Sequence, residues 1–137
     1  MVPVIRTARA CDLSAILELW MLADAEPGHT DNIESLTKLI ARDPGALLVA
    51  ADGGAIVGSV IAAWDGWRGT VYRLAVAPSH RRRGIGTELV SAAVERLRAA
   101  GAVRLQAIVV ETDARATGFW RASGWVEQVS RLRFTLG

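Results

Sequence analysis

The 137-residue chain has a single cysteine, Cys11, so no internal disulfide can form. With no histidine or second cysteine nearby in sequence, Cys11 is also a poor metal ligand, and no metal is expected. It reads as a small packing residue near a helix start. No apolar run is long enough for a membrane span, although 51% of the residues are hydrophobic, which also argues against disorder. Met1-Val2-Pro3 leads straight into patterned sequence, without the basic region, apolar stretch and cleavage site of a secretory signal. These absences point to a soluble cytoplasmic protein, and the length suits one domain over residues 1–137 with its own core.

The net charge of +2 hides an uneven distribution. Residues 1–70 carry five Lys+Arg against nine Asp+Glu, a balance of −4, and residues 71–137 carry eleven against five, a balance of +6. An anionic ligand is expected on the basic half. A cationic one is expected over the acidic half, Asp24, Glu26 and Asp65 among its residues.

The chain is arranged around residues 74–100. Leu74-Ala75-Val76 is a short apolar run, Arg81-Arg82-Arg83-Gly84-Ile85-Gly86-Thr87 follows a turn, and Leu89, Val90, Ala93, Val94 and Leu97 then recur at helical spacing. The helix therefore starts at the glycines. The first amides of a helix lack intrahelical partners and carry partial positive charge, which makes its start an anion site. Glycine lets the backbone approach a ligand closely, and three arginines add fixed charge, so polyphosphate is the expected guest. A P-loop would need Lys-Ser/Thr after Gly86, where Thr87-Glu88 stands, and a dinucleotide fingerprint would need glycine at Leu89.

Taken in order, Val4–Ala8 reads as a strand. Asp12 caps an amphipathic helix that ends near Ala25, and a second helix runs from Asp31 to the stop at Asp43-Pro44-Gly45. Residues 46–51 form a buried strand, and Asp52-Gly53-Gly54 turns into a strand over 56–61. Asp65-Gly66 turns the chain into a third antiparallel strand over 70–76. The loop helix ends at Ala100 with Gly101 as terminator. Val103–Val110 is a strand parallel to 70–76, Asp113 caps a helix to Ser123, and Arg131–Leu136 alternates as a last strand.

Arg81, Gly84 and Gly86 match the acyl-coenzyme A loop signature of the GNAT family of N-acetyltransferases. The element order resembles that family across nearly the whole chain, and residues 65–72 resemble a small bacterial branch of it. The resemblance implies an α/β fold with a mixed central sheet, helices on both faces, and a splayed parallel pair of strands after three antiparallel ones. It implies acetyl-coenzyme A as co-substrate. Leu74, Ala75 and Val76 would offer backbone groups to the acetyl carbonyl and pantetheine, and Arg81, Arg82, Arg83, Gly84, Ile85, Gly86 and Thr87 would hold the pyrophosphate. The acceptor would be a small-molecule or protein amine, with no nucleic acid or membrane as partner and room for a homodimer.

The family's penultimate helix usually carries Asn, Ala and Tyr where this chain has Asp113, Ala116 and Trp120. By the resemblance Asp113 would still cap the helix and accept from pantetheine amides, but Trp120 cannot protonate a leaving group. Family bases on the flanking strands fall at Thr70 and Ile108, neither of which serves. Glu26, Tyr72 or a water chain are the remaining candidates for proton transfer. Trp20 and Trp125 read as core, Trp64 and Trp67 as either core residues or walls of an acceptor cleft, and His29 as a surface residue. Two other functions compete: an acyl-coenzyme A sensor without catalysis, and a nucleic-acid-binding protein using the arginine cluster.

Overall fold

The computed structural model describes residues 3–23, 28–110 and 113–137, in two compact units, 1–107 and 108–137. The first unit is built on a five-stranded sheet in the order β1 (Val4–Thr7), β2 (Leu47–Asp52), β3 (Ala55–Trp64), β4 (Gly69–Val76) and β5 (Leu105–Ala107). The first four strands are antiparallel and β5 runs parallel to β4, the mixed α/β arrangement expected. Gly53 takes φ +64° between Asp52 and Ala55, the conformation that a two-residue hairpin turn demands at its first position.

Helix α1 (Leu13–Ala23) and helix α3 (Ile85–Ala100) cover opposite faces. On one face a β-carbon at Gly58 would lie 2.9 Å from Leu89, and one at Gly69 would lie 2.8 Å from Leu97, so two glycines let α3 sit close to the strands. Ser59 points the other way, as successive strand residues must, and takes a 2.7 Å hydrogen bond from the Trp20 indole of α1. Leu89, Ala93 and Leu97 from α3 and Leu13 and Ile16 from α1 are almost wholly excluded from solvent with Val49, Val60 and Val71. Their helical spacing is what placed them there.

Register slips mark two bulges. Val57 is the extra residue where Ala50 pairs with Gly58 but Ala51 with Ile56. In β4, Ile61 pairs with Tyr72 and Ser59 with Ala75, so Arg73 and Leu74 together oppose Val60. Arg73 there adopts φ +51°, unusual for a residue with a β-carbon.

Local chemistry shifted several expected boundaries. Asp12 does not cap α1: it closes a preceding 3₁₀ turn (Ala10–Asp12), accepting from the Arg9 amide at 2.8 Å and from Arg6 at 2.8 and 3.0 Å. The Arg6 guanidinium, followed by the Arg9 amide, outweighs burial and lowers the Asp12 carboxyl to about 2. With Asp12 turned inward, Cys11 faces solvent, which corrects its reading as a packing residue. Helix α2 (Ile33–Arg42) starts after Asn32, whose side chain accepts from the Ser35 amide at 2.8 Å. Asp31 is instead committed to Arg73.

The parallel strand expected over 103–110 is only Leu105–Ala107, and Val103 is exposed. In the second unit, Asp113 caps helix α4 (Ala114–Ala122) by accepting from the Ala116 amide at 3.0 Å. The expected strand over 131–136 does not form. Leu132, Phe134 and Leu136 are exposed, because alternation provides a two-faced ribbon but a strand also needs a partner ladder, and the described part of this unit contains none.

Candidate active site

Among the described residues, β4 beyond Val71 has β3 as its only ladder partner, since β5 pairs with Gly69, Thr70 and Val71. Leu74, Ala75 and Val76 therefore lie past the last β4–β5 pairing, at and beyond the Arg73–Leu74 bulge. A 3₁₀ turn (Pro78–His80) carries the chain over the sheet end into the loop.

That loop is pinned from both sides. The His80 ring reaches Asp52 at the end of β2 at 2.9 Å and the Ser79 hydroxyl at 2.7 Å. The Arg81 guanidinium donates to the Val76 carbonyl at 3.3 Å and to the Ala23 carbonyl at 3.5 Å, tying the loop to β4 and to the end of α1. Arg82 and Arg83 stay exposed, and Arg82 and Gly84 take φ +64° and +78°. Gly84 is the N-cap of α3 without a side-chain cap, and a β-carbon there would meet nothing within 4 Å. The helix ladder begins with the Glu88 amide donating to the Gly84 carbonyl at 3.0 Å, so the amides of Ile85, Gly86 and Thr87 point out of the helix start. Open backbone, outward amides and two exposed guanidiniums make an anion cradle. Among the described residues no metal-holding cluster of His, Cys, Asp or Glu occurs.

Tyr72 lies on the α1 face of β4, opposite Ile61 and one residue past the last β5 pairing, with 38% of its surface exposed. Glu26 and Asp24 lie outside the described residues. Asp113 and Trp120 belong to the second unit. There Trp120 is buried, with Phe119 and Trp125 packed edge-on at 5.5 and 4.8 Å. Trp20 is buried and His29 exposed, as expected.

Two expectations are corrected. Trp64 and Trp67 do not border the bulge end of β4: with Arg68, Gly101, Val103 and Arg104 they line an open pocket of about 510 Å³ at the opposite end of α3. Asp65 sits at that same end, roughly 20 Å along β4 from Leu74–Val76 at strand rise. Its carboxylate accepts from the Arg68 and Trp67 amides at 2.6 and 2.7 Å, which hold it below the usual range, Arg68 first. Asp65 is a turn residue.

Sequence reasoning also missed the His80–Asp52 bond and the group formed by Trp20, Ser59, Arg73 and Asp31. Neither carries a spacing signal, because each joins residues far apart in the chain.

Residues 13–125 match the sequence model of the acetyltransferase (GNAT) family. An acetyltransferase of Pectobacterium atrosepticum is 34% identical over 116 residues, 85% of this chain and 82% of that protein. Among solved structures, Ard1 of Thermoplasma volcanium superposes with a TM-score of 0.84 at 18% identity, over 94% of this chain and 86% of that one. The PaiA N-acetyltransferase of Thermoplasma acidophilum, solved in complex with coenzyme A, gives 0.77 at 16% identity over 89% and 88%. With outward amides and two exposed arginines at the start of α3, and β5 pairing with β4 only as far as Val71, this chain belongs to the GNAT acetyltransferase family and is an acyltransferase.

Proposed function

We propose that the protein moves an acetyl group from acetyl-coenzyme A to a primary amine by direct attack in a ternary complex, with all 137 residues working as one domain. The observation that carries this reading is the cradle at Gly84–Thr87, which follows the stretch of β4 beyond its last β5 pairing at Val71. Ile85, Gly86 and Thr87 amides and the Arg82 and Arg83 side chains take the pyrophosphate, and Arg81 fixes the loop that presents them. Leu74, Ala75 and Val76 meet the pantetheine arm and acetyl carbonyl with backbone groups. Asp113 and Trp120, at the N-cap of helix α4 and within it, are the remaining cofactor-side candidates by the family resemblance. The family match runs from 13 to 125 and so spans both units, which supports the single-domain reading. A single cysteine and acyl-coenzyme A chemistry suit a cytoplasmic protein.

In the reaction the amine lone pair attacks the thioester carbonyl, the C–S bond breaks, the amine proton goes to Glu26 or water, and the thiolate is protonated by Tyr72. A thiolate leaves readily, because its conjugate thiol has a pKa of about 8.5, far below that of an alcohol. Thiol release from acetyl-coenzyme A should depend on added amine, measured against a panel of small amines and peptides with free N-termini or lysines. Binding of coenzyme A without any amine-dependent release would favour the sensor reading, which the tryptophan at position 120 supports. Salt-dependent nucleic-acid binding that coenzyme A does not displace would overturn both.

A further inference from the structure

Arg73 is the one described residue with a β-carbon that takes positive φ inside a strand, and contacts with Ser59, Asp31 and Trp20 help hold it there. The Ser59 hydroxyl donates to the Arg73 carbonyl at 3.2 Å and accepts the Trp20 indole N–H at 2.7 Å, so a two-bond chain through the buried Ser59 runs from α1 through β3 to the bulge. The Arg73 guanidinium donates from Nε to Asp31 at 3.2 Å and pairs with the same carboxylate through a second nitrogen. The same guanidinium stands 5.2 Å above the Trp20 ring. Asp31 in turn accepts the Gly28 amide at 2.7 Å, which ties the segment before α2 to the bulge.

A sparsely populated backbone conformation persists only where its surroundings over-determine it, and such positions gather at functional sites. Ser59 is fully buried, and among the described residues its hydroxyl has two polar partners, the indole and the bulge carbonyl. A hydroxyl at that depth costs free energy unless both bonds are made. We propose that Trp20, Ser59, Arg73 and Asp31 form a clamp that holds the β4 bulge open and so positions the backbone of Leu74–Val76 for the acyl group. They are positioning residues. The inference rests on the acetyl-coenzyme A reading and deepens it: the loop at Gly84–Thr87 binds the phosphates, and the clamp sets how the thioester end is received.

Calorimetric titration of Ser59→Ala with acetyl-coenzyme A and with coenzyme A separates the two roles. The expected result is acetyl-coenzyme A affinity weakened at least about fivefold and coenzyme A affinity changed less than about twofold, because an exposed loop and a buried clamp act on different ends of the ligand. Amide shift differences between the two complexes should centre on Leu74, Ala75 and Val76 in the unaltered protein and shrink in the variant. A folded Ser59→Ala protein that keeps the unaltered affinity ratio overturns the clamp, and so does an equal loss for both ligands, the mark of a merely structural role. If Ser59→Ala does not fold, Asp31→Asn decides by the same ratio. Failure of the unaltered protein to bind either ligand removes the acyl-coenzyme A reading, and this inference with it.

Discussion

The two ends of α3 carry the same kinds of residue in opposite electrostatic settings. Gly84 with φ +78° opens the helix and Gly101 with φ +113° closes it, and arginines stand at both ends. At the closing end, Gly101 and Ala102 amides return to the Arg98 and Leu97 carbonyls at 3.0 and 2.9 Å, and Arg68 stacks on Trp67 at 4.1 Å. Cations there sit with the negative end of the helix, so that end is satisfied by the protein itself. At the opening end Arg82 and Arg83 sit beside outward amides, positive on positive. Such an arrangement raises the self-repulsion of the fold unless an anion joins it. Arginine and glycine alone therefore do not mark a candidate anion site; their position relative to the helix dipole does.

β4 repeats the contrast along its length. Among the described residues, Gly69–Val71 pairs with both β3 and β5, and Tyr72–Val76 is joined to the sheet through β3. Tyr72 stands at the border, and the largest effect is expected there. Tyr72→Phe should lower turnover by about 100-fold if the phenol protonates the leaving thiolate, since general acid catalysis supplies roughly 100- to 10,000-fold. Trp120→Phe should cost less, and Trp120→Tyr should raise the rate. Steady-state rates at saturating acetyl-coenzyme A check this, and silence of both Tyr72→Phe and Trp120→Tyr would hand the proton to water.

A matched pair of glycine substitutions sharpens the comparison next. Gly86→Val should weaken coenzyme A binding by about 30-fold or more, because charge-assisted bonds from helix-start amides are worth roughly 1.5–3 kcal/mol each, while melting stays near that of the unaltered protein. Gly69→Val should do the reverse, since its side chain would run into Leu97. Overpacking of this kind costs about 1–3 kcal/mol of stability and should leave affinity in the folded fraction intact. Calorimetry and thermal melting read both, and similar profiles for the two variants would erase the distinction between binding end and packing end.

Much of this division was legible in the sequence, and what was not has a physical reason. The α3 stripe, the Gly101 stop, the parallel β4–β5 pair and the Arg81–Gly86 loop rest on local periodicity and on glycines at element ends. The bulge at Arg73 had no signal, since arginine in a strand gives no hint of positive φ and the contacts that hold it come from residues 20, 31 and 59. Trp64 and Trp67 were misplaced because adjacency to a turn does not say which end of the sheet the turn occupies. The strand over 131–136 failed for lack of a partner.

Asp12 tests the packing side through pH. Its carboxyl falls from 3.8 to about 2 on folding, mainly through Arg6, so the pair's contribution is complete above about pH 4 and is lost as pH drops through 2. Asp12→Asn should cost about 1–2 kcal/mol at neutral pH and almost nothing near pH 2, so the stability curves converge in acid. Denaturant titrations between pH 2 and 7 measure this. A constant gap across that range would mean the carboxylate acts by packing and hydrogen bonding alone, and coenzyme A affinity should not follow the curve at all.

The smallest effect separates site charge from net charge. Replacing Arg82 and Arg83 by alanine, or Arg68 and Arg104 by alanine, removes the same two charges from opposite ends of a 16-residue helix about 24 Å long. Exposed charges contribute roughly 0.2–1 kcal/mol apiece, so the first double variant should weaken coenzyme A binding about three- to tenfold at low ionic strength. The second lies beyond the Debye length of about 10 Å at 0.1 M salt, so its effect should stay under about twofold. Raising salt should shrink the first difference and leave the second unchanged. Equal losses from the two pairs would mean that the +6 of the second half draws the anion as a whole and that the helix start has no special claim on it.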